Sequence, residues 1–329
     1  VSAENTVVAR GPWFDELEHG QVFDTAPSVT LTSGAAAMHQ AIVGDRLAIA
    51  TDHELGSRLS GRGPLAHPAH VWDVSIGQST LATHFVKANL FYRGLTFHRL
   101  PSLGDTLTTT TTVVGLKQNT PRPRKPHTGL AALHITTADQ RGAPVLDYHR
   151  CALLPLSSSA AATGHADDLA QIGADASANF DMLDDLDLDA LPRRAEPPTP
   201  GTTVEVVGGD VVSSAPELAR LTLNIAQVHH DAKAGGGRLV YGGHTIGIAA
   251  AQASRALPGI VLFLGWQSCD HTGPVHEGDT LRSRIAVESA RPGPAGTQVL
   301  ELRSLVEADA TETPGGPRPV LDWRYTVLA

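Results

Sequence analysis

The segment Asn224-Ile-Ala-Gln-Val-His229, followed at once by His230 and Asp231, brings together side chains that handle protons and water. An imidazole ionises near neutral pH and can take up or release a proton there. An asparagine cannot take a proton at neutral pH, but its amide can orient a water. On an unbroken helix five residues turn through about 500°, leaving Asn224 and His229 roughly 140° apart. The two share a pocket only if the helix ends or distorts between them, and no proline stands there to break it. Downstream, Gly242-Gly243 precedes His244 in VYGGHTIG, at a strand-to-helix junction. A helix start offers unpaired N–H groups and the positive end of a dipole, although glycines also occupy such junctions merely to let backbones pack closely. His244 could face a pocket or cap the turn. Asp270-His271 in SCDHTGP is a polar pair at a strand end, read either as the mouth of a site or as a turn-stabilising Asp.

Other chemistries find less support. No Cys cluster or His-x-x-x-His spacing is present, so no metal is expected. GxSxG and GxxxxGK[ST] are both absent, which removes the triad-hydrolase and NTPase readings. AGGGRLVYGG lacks the lysine of a phosphate cradle and reads as a flexible loop. Arg122, Arg124 and Lys125 in PRPRKPH form the local basic cluster, a solvated loop or a place for phosphates.

The elements that must position these residues come in two copies. HRLPSLGDTL near 100 returns as TGPVHEGDTL near 275, VLDYHRCALL at 145 returns as VLDWRYTVL at 320, and His70 has its counterpart in His244. The offsets are 278 − 104 = 174, 320 − 145 = 175 and 244 − 70 = 174, so one folding unit occurs twice. Aligning LTSGAAAMHQA (31–41) with LTLNIAQVHHD (221–231) puts Gly34 opposite Asn224 and His39 opposite His229. That offset is 221 − 31 = 190, so the first copy carries 190 − 174 = 16 extra residues, between Gly44 and Gly61. With Gly34 unable to orient a water, the first copy is expected not to catalyse.

Three segments follow: an N-terminal unit over 1–156, a linker over 157–203, and a C-terminal unit over 204–329. The linker is rich in Ser, Ala, Asp and Pro and reads as a solvated connection with at most one short acidic helix. In the second copy, Ser214-Ala-Pro-Glu217 has the form of a capping box, and Leu218, Leu221, Ile225 and Val228 form a stripe at helical spacing. A small-residue helix runs from about Gly243 to Leu257, followed by β-rich runs at GIVLFLGWQSC, DTLRSRIAVESA, TQVLELRSLVEA and RPVLDWRYTVL. The first copy mirrors this with helix PAHVWDVSIGQSTLA and strands DTLTTTTTVVGL, TGLAALHITTAD and APVLDYHRCALL. One helix followed by successive antiparallel strands makes an α+β unit, the helix cradled by a curved sheet.

Composition sets outer limits. The 329 residues have a hydrophobic fraction of 41% and a net charge of −9, so nucleic acid and anionic membranes are poor partners. Two cysteines, Cys151 and Cys269, fit a reducing cytoplasm rather than a disulfide framework. No apolar run approaches the roughly 20 residues of a membrane span, and no secretion leader is expected.

The GDTL strand start, the glycine-opened helix and the closing VLD-aromatic strand resemble the hotdog fold. More specifically, they resemble MaoC-type acyl-CoA hydratases and dehydratases in their double-hotdog form. The resemblance covers residues 12–156 and 204–329, and the whole-chain arrangement is similar to MaoC-like double-hotdog proteins of mycobacteria. It implies two tandem hotdog units, each a long central helix wrapped by a curved antiparallel sheet. It also implies a hydro-lyase: (R)-specific hydration of an enoyl thioester to a 3-hydroxyacyl thioester, or the reverse, with no cofactor beyond the coenzyme A or acyl-carrier thioester that is its substrate. The family signature Asp-x-Asn-Pro-x-His is matched outright only at His229; Asn224, Ala226 and Gln227 stand in the Asp, Asn and Pro positions. The carried-over roles are His229 as base and acid, Asn224 orienting the water, and the Gly243 N–H stabilising the enolate. Asp231, His230 and His244 are possible additions. Two joined hotdogs imitate the family's dimer, so a monomer or a homodimer is expected. The alternatives are a hotdog thioesterase in which Asp231 activates water, and a non-catalytic acyl-thioester binding protein.

Overall fold

Strand periodicity and helix smallness together dictate the architecture of this chain, seen in a computed structural model that describes residues 6–158, 162–174, 180–192, 196–234, 237–309 and 316–329. The first half runs β1 (Val22–Phe23), β2 (Val29–Thr30), α1 (Ser33–Val43), α2 (Ala48–Thr51), α3 (His53–Ser60), α4 (Pro68–Gln78), β3 (Ala88–Phe97), β4 (Thr106–Gln118), β5 (Thr128–Ala138) and β6 (Pro144–Pro155). The second runs β7 (Thr203–Glu205), β8 (Asp210–Val211), α5 (Ala215–Leu221), α6 (Gly242–Ala256), β9 (Leu262–His271), β10 (Thr280–Pro292), β11 (Gln298–Asp309) and β12 (Arg318–Leu328). This is the α+β double hotdog that the resemblance implies, and α2 and α3 occupy the insertion of the first copy.

One continuous antiparallel sheet, ordered β1-β4-β5-β6-β3-β9-β12-β11-β10-β7, carries both halves. Its seam is β3 against β9, in a register that sets Tyr92 opposite Cys269 and Arg93 opposite Ser268. Alternation does the sorting: along β4 the buried residues Leu107, Thr109, Thr111 and Val113 face inward, and their neighbours face out. Register shifts at Val113/Gly115 and Val287/Ser289 mark bulges that let the sheet curl. Inside the curl lie α4, buried at every residue, and α6, buried from Gly243 to Ser254. Trp72 of α4 reaches across the halves, its ring 6.0 Å from Phe263, 4.9 Å from Trp266 and 6.2 Å from Trp323. A single apolar core therefore spans both copies.

Three local expectations are corrected. Ser214 does not form a capping box: its φ of 56° is left-handed, its side chain makes no cap bond, and the Ala215 N–H is instead taken by Glu277 Oε1 at 3.1 Å. The stripe Leu218–Val228 is not one helix, because α5 stops at Leu221 and Ile225 is 43% exposed. The linker is tied down rather than simply solvated, since Leu169, Met182, Leu183 and Leu188 are buried; its residues 159–161, 175–179 and 193–195, like Gly235 and Gly236 of the glycine-rich loop, lie outside the described residues.

Candidate active site

After α5 the chain turns sharply. Leu223 adopts a left-handed φ of 58°, and the backbone runs on to a 3-10 turn at Gln227–His229. The partners that hold this break come from the other half of the molecule. Ile225 N–H donates to Thr80 Oγ1 (3.0 Å) and Gln227 N–H to the His84 carbonyl (2.9 Å). Gly77 of α4 makes the approach possible, because a Cβ there would overlap the Thr222 carbonyl and come within 3.2 Å of Asn224 N. The consequence is a shared pocket: Asn224 and His229 both line one cavity of about 310 Å³.

Each of the two side chains is oriented by the backbone. Asn224 is 2% exposed, and its Oδ1 accepts from the Ala226 N–H (2.9 Å), leaving the Nδ2 amide as the group available to a ligand. His229 Nδ1 lies 3.0 Å from the Leu239 carbonyl, an acceptor only, so Nδ1 carries the hydrogen and Nε2 keeps its lone pair. Burial lowers the His229 pKa to about 4, the Leu239 hydrogen bond opposes this, and the charges of His230 and Arg150 push it further down. At neutral pH His229 is thus an unprotonated base. The Tyr241 ring stands edge-on to it at 5.8 Å.

The start of α6 forms another part of the wall. Its N-cap, Tyr241, makes no side-chain cap bond; the His244 N–H donates to the Tyr241 carbonyl (3.0 Å), while the Gly242 and Gly243 amides are left open. Gly242 lines the cavity, whereas Gly243 does not. A Cβ at Gly243 would overlap Asp73 of α4 and crowd the Tyr241 ring, so this glycine serves the crossing of the two central helices. Of the two glycines that open α6, it is Gly242, one residue before the position read from sequence, that borders the cavity. Against Gly242, His271 ends β9 with Nε2 unpartnered, and a Cβ at Gly242 would meet that atom at 2.7 Å. Burial lowers the His271 pKa to about 4 as well.

The remaining sequence candidates sit elsewhere. His230 Nε2 donates to the Asn224 carbonyl (2.6 Å) and so braces the turn. Asp231 is exposed and accepts from the Lys233 N–H (2.8 Å), outside the cavity. His244 is fully buried within α6 with both ring nitrogens unpartnered, and burial lowers its pKa to about 4. Arg122 and Lys125 line a separate groove of about 680 Å³ that shares Lys87 with the cavity. Sequence reasoning missed the contributions of Thr80, Tyr92 and Arg150 from the first half, and Tyr241 beside His229. No motif in the sequence marked them.

In the first copy the corresponding residues are differently employed. His39 Nε2 lies 2.9 Å from Asp73 Oδ2, and the Tyr241 hydroxyl donates to Asp73 Oδ1 (3.1 Å). Burial raises the Asp73 pKa to about 8 and lowers that of His39 to about 3, so the pair holds one proton between them near neutrality. At offset 174, Gly242 corresponds to Pro68, which has no N–H, and the following Ala69 N–H is taken by His67 Nδ1 at 2.8 Å. The start of α4 therefore offers no open amide where α6 does. Among the described residues no group of three or more His, Cys, Asp or Glu could hold a metal ion. No described helix is long and apolar enough to cross a membrane.

No protein-family model matches the chain. It is 27% identical to a beta-methylmalyl-CoA dehydratase of Chloroflexus aurantiacus, over 97% of each chain. A mesaconyl-CoA hydratase of Cereibacter sphaeroides is 25% identical, over 92% of this chain and 91% of the relative. Among solved structures, a conserved hypothetical protein of Mycobacterium tuberculosis with a double hotdog fold is 53% identical. It superposes with a TM-score of 0.90 over 97% of this chain and 98% of that one. A MaoC domain protein of Chloroflexus aurantiacus, 23% identical, shares the fold with a TM-score of 0.86 over 99% of each chain.

Proposed function

Because the chain belongs to the MaoC-like double-hotdog dehydratase family, we propose that it is an (R)-specific enoyl-thioester hydratase working reversibly on a coenzyme A thioester, with its site in the second copy. The observation that carries this reading is the meeting of Asn224, His229 and the uncapped start of α6 in one cavity. Water held by the Asn224 amide loses a proton to His229 Nε2 while its oxygen adds to C3 of the enoyl group. The Gly242 N–H, at the positive end of α6, stabilises the enolate oxygen. The protonated His229 then delivers its proton to C2. Both curated relatives are named for hydro-lyase activity on coenzyme A thioesters, which supports the reaction class. The basic groove beside Lys87, with Arg122 and Lys125, suits the phosphates of that carrier.

The first copy contributes walls rather than a second reaction centre, because Pro68 and the capped Ala69 remove the oxyanion donor there. The thioesterase reading loses its nucleophile activator, since Asp231 is on the surface and, among the described residues, no Asp or Glu lines the cavity. The test follows enoyl absorbance and free thiol together during incubation with short enoyl-CoA thioesters. Loss of absorbance without thiol is the expected result. Thiol release would instead establish hydrolysis, and thermal stabilisation by thioester with neither change would establish a binding protein.

A further inference from the structure

Two arginines are buried among the described residues, Arg99 and Arg150. Arg99 is matched by the carboxylates of Asp105 and Asp139. Arg150 is not. It stands on β6, 3% exposed, with its guanidinium in the wall of the active cavity. Nη2 donates to the Ser79 carbonyl (3.1 Å) and to Thr83 Oγ1 (2.7 Å), and Nε has no partner. No carboxylate among the described residues pairs with it, and none lines the cavity. Its surroundings are phenolic and neutral: Tyr92 is its cross-strand partner, and Tyr148 lies two residues away on the same strand.

A buried cation without a counter-ion costs several kcal/mol unless something compensates it. In a chain of net charge −9, a carboxylate from the protein itself would have been the obvious neutraliser. The repeat sharpens the contrast. At offset 175 the second copy has Tyr325, which is buried and bonded to Ser304 (3.0 Å), so the charge belongs only to the copy that faces His229 and Asn224. The cavity, about 310 Å³, is at the small end for ligand pockets and suits a short acyl group.

From this arrangement we infer that Arg150 selects the substrate by pairing with a free carboxylate on its acyl group. The substrate class is then the coenzyme A monothioester of a short unsaturated dicarboxylic acid. The inference rests on the hydratase reading for the reacting end of the molecule, and on the unmatched guanidinium for the distal end. Bound substrate supplies the missing anion, and an uncharged acyl chain of equal length leaves Arg150 desolvated and unpaired.

Steady-state hydration of fumaryl-CoA and crotonyl-CoA by the full chain tests this, since the two differ by a carboxylate in place of a methyl. Wild type should favour fumaryl-CoA in kcat/KM on the order of 100-fold. In Arg150→Met that ratio should collapse toward one, chiefly through KM, and Arg150→Lys should restore part of it. Equal rates on the two thioesters in wild type, or an unchanged ratio in Arg150→Met, would overturn the assignment. Thermal shifts with unreactive succinyl-CoA and butyryl-CoA separate the two layers of the argument. If neither enoyl thioester is hydrated, an Arg150-dependent preference for succinyl-CoA upholds the carboxylate site while the hydratase reading fails. The absence of that preference removes the site. Should Arg150→Met fail to fold, the wild-type preferences and the Lys variant still decide.

Discussion

In the proposed hydration the imidazole of His229 is prepared as base by one hydrogen bond and by desolvation. With Nδ1–H committed to the Leu239 carbonyl, only Nε2 is left to accept a proton. His229→Ala should lower kcat by roughly 10²–10⁴-fold, with the far-UV circular dichroism and melting temperature of the wild type retained. Because the pKa of His229 is depressed to about 4, the base form prevails at every pH above that value. The pH profile of kcat/KM should therefore be flat through neutrality, with an acid limb near 4 instead of at the ordinary 6.5. Asn224→Asp tests the same electrostatics from the other side. Its carboxylate can keep the Ala226 hydrogen bond, but a negative charge in the cavity favours imidazolium. The acid limb should shift to higher pH in that variant; an unshifted limb would assign the profile to another group.

At the scale of elements, the site exists because a helix is cut short. Residues 222–229 leave helical geometry through Leu223 and lie on α4 and the turn after it, held by Thr80 and the His84 carbonyl. Gly77 is the position where α4 has no side chain and the two backbones touch. Gly77→Ala should push this segment off α4, lowering kcat/KM by about 100-fold or more through misplacement of Asn224 and His229. The overlap should also cost on the order of 1–3 kcal/mol of stability, read by urea unfolding. Wild-type activity in Gly77→Ala would mean that the segment is held in place without this contact.

On the scale of the whole molecule, the seam of β3 with β9 and the Trp72 cluster fuse the two copies into one body. Calorimetry should show a single unfolding transition; two separated transitions would mean that the halves are thermodynamically independent. The fold also buries several neutral histidines, with His229, His244 and His271 all held at about 4. Between pH 6.5 and 4 the unfolded chain takes up protons that these sites refuse, so stability falls as the pH falls through that window. Each site contributes a slope of up to about 1.4 kcal/mol per pH unit. Asp73, raised to about 8, acts in the opposite sense: its proton supports the fold below that value, and the contribution is lost as pH rises through it. The melting temperature should be lower at pH 5 than at pH 7 by several degrees, since these three histidines and His39, held at about 3, outweigh one carboxyl.

Sequence by itself determined the duplication, the order of helix and strands in each copy, and the imidazole at His229. These are properties of local pattern: offsets of 174 and 175, alternation along strands, and small residues on the central helix α6. It left out β3, although ANLFYRGLTF carries the seam between the halves, because a mixed apolar run does not say what it pairs with. Tertiary structure alone decided that Asn224 and His229 share a cavity, that Gly242 and not Gly243 lines it, and that Asp231 stays outside. It alone revealed Arg150 as an unmatched charge facing the second copy's site. The physical reason is the same in each case. Which side chain meets which across a curled sheet depends on backbone contacts between residues more than 100 positions apart, such as Gly77 with Thr222, and no local period encodes them.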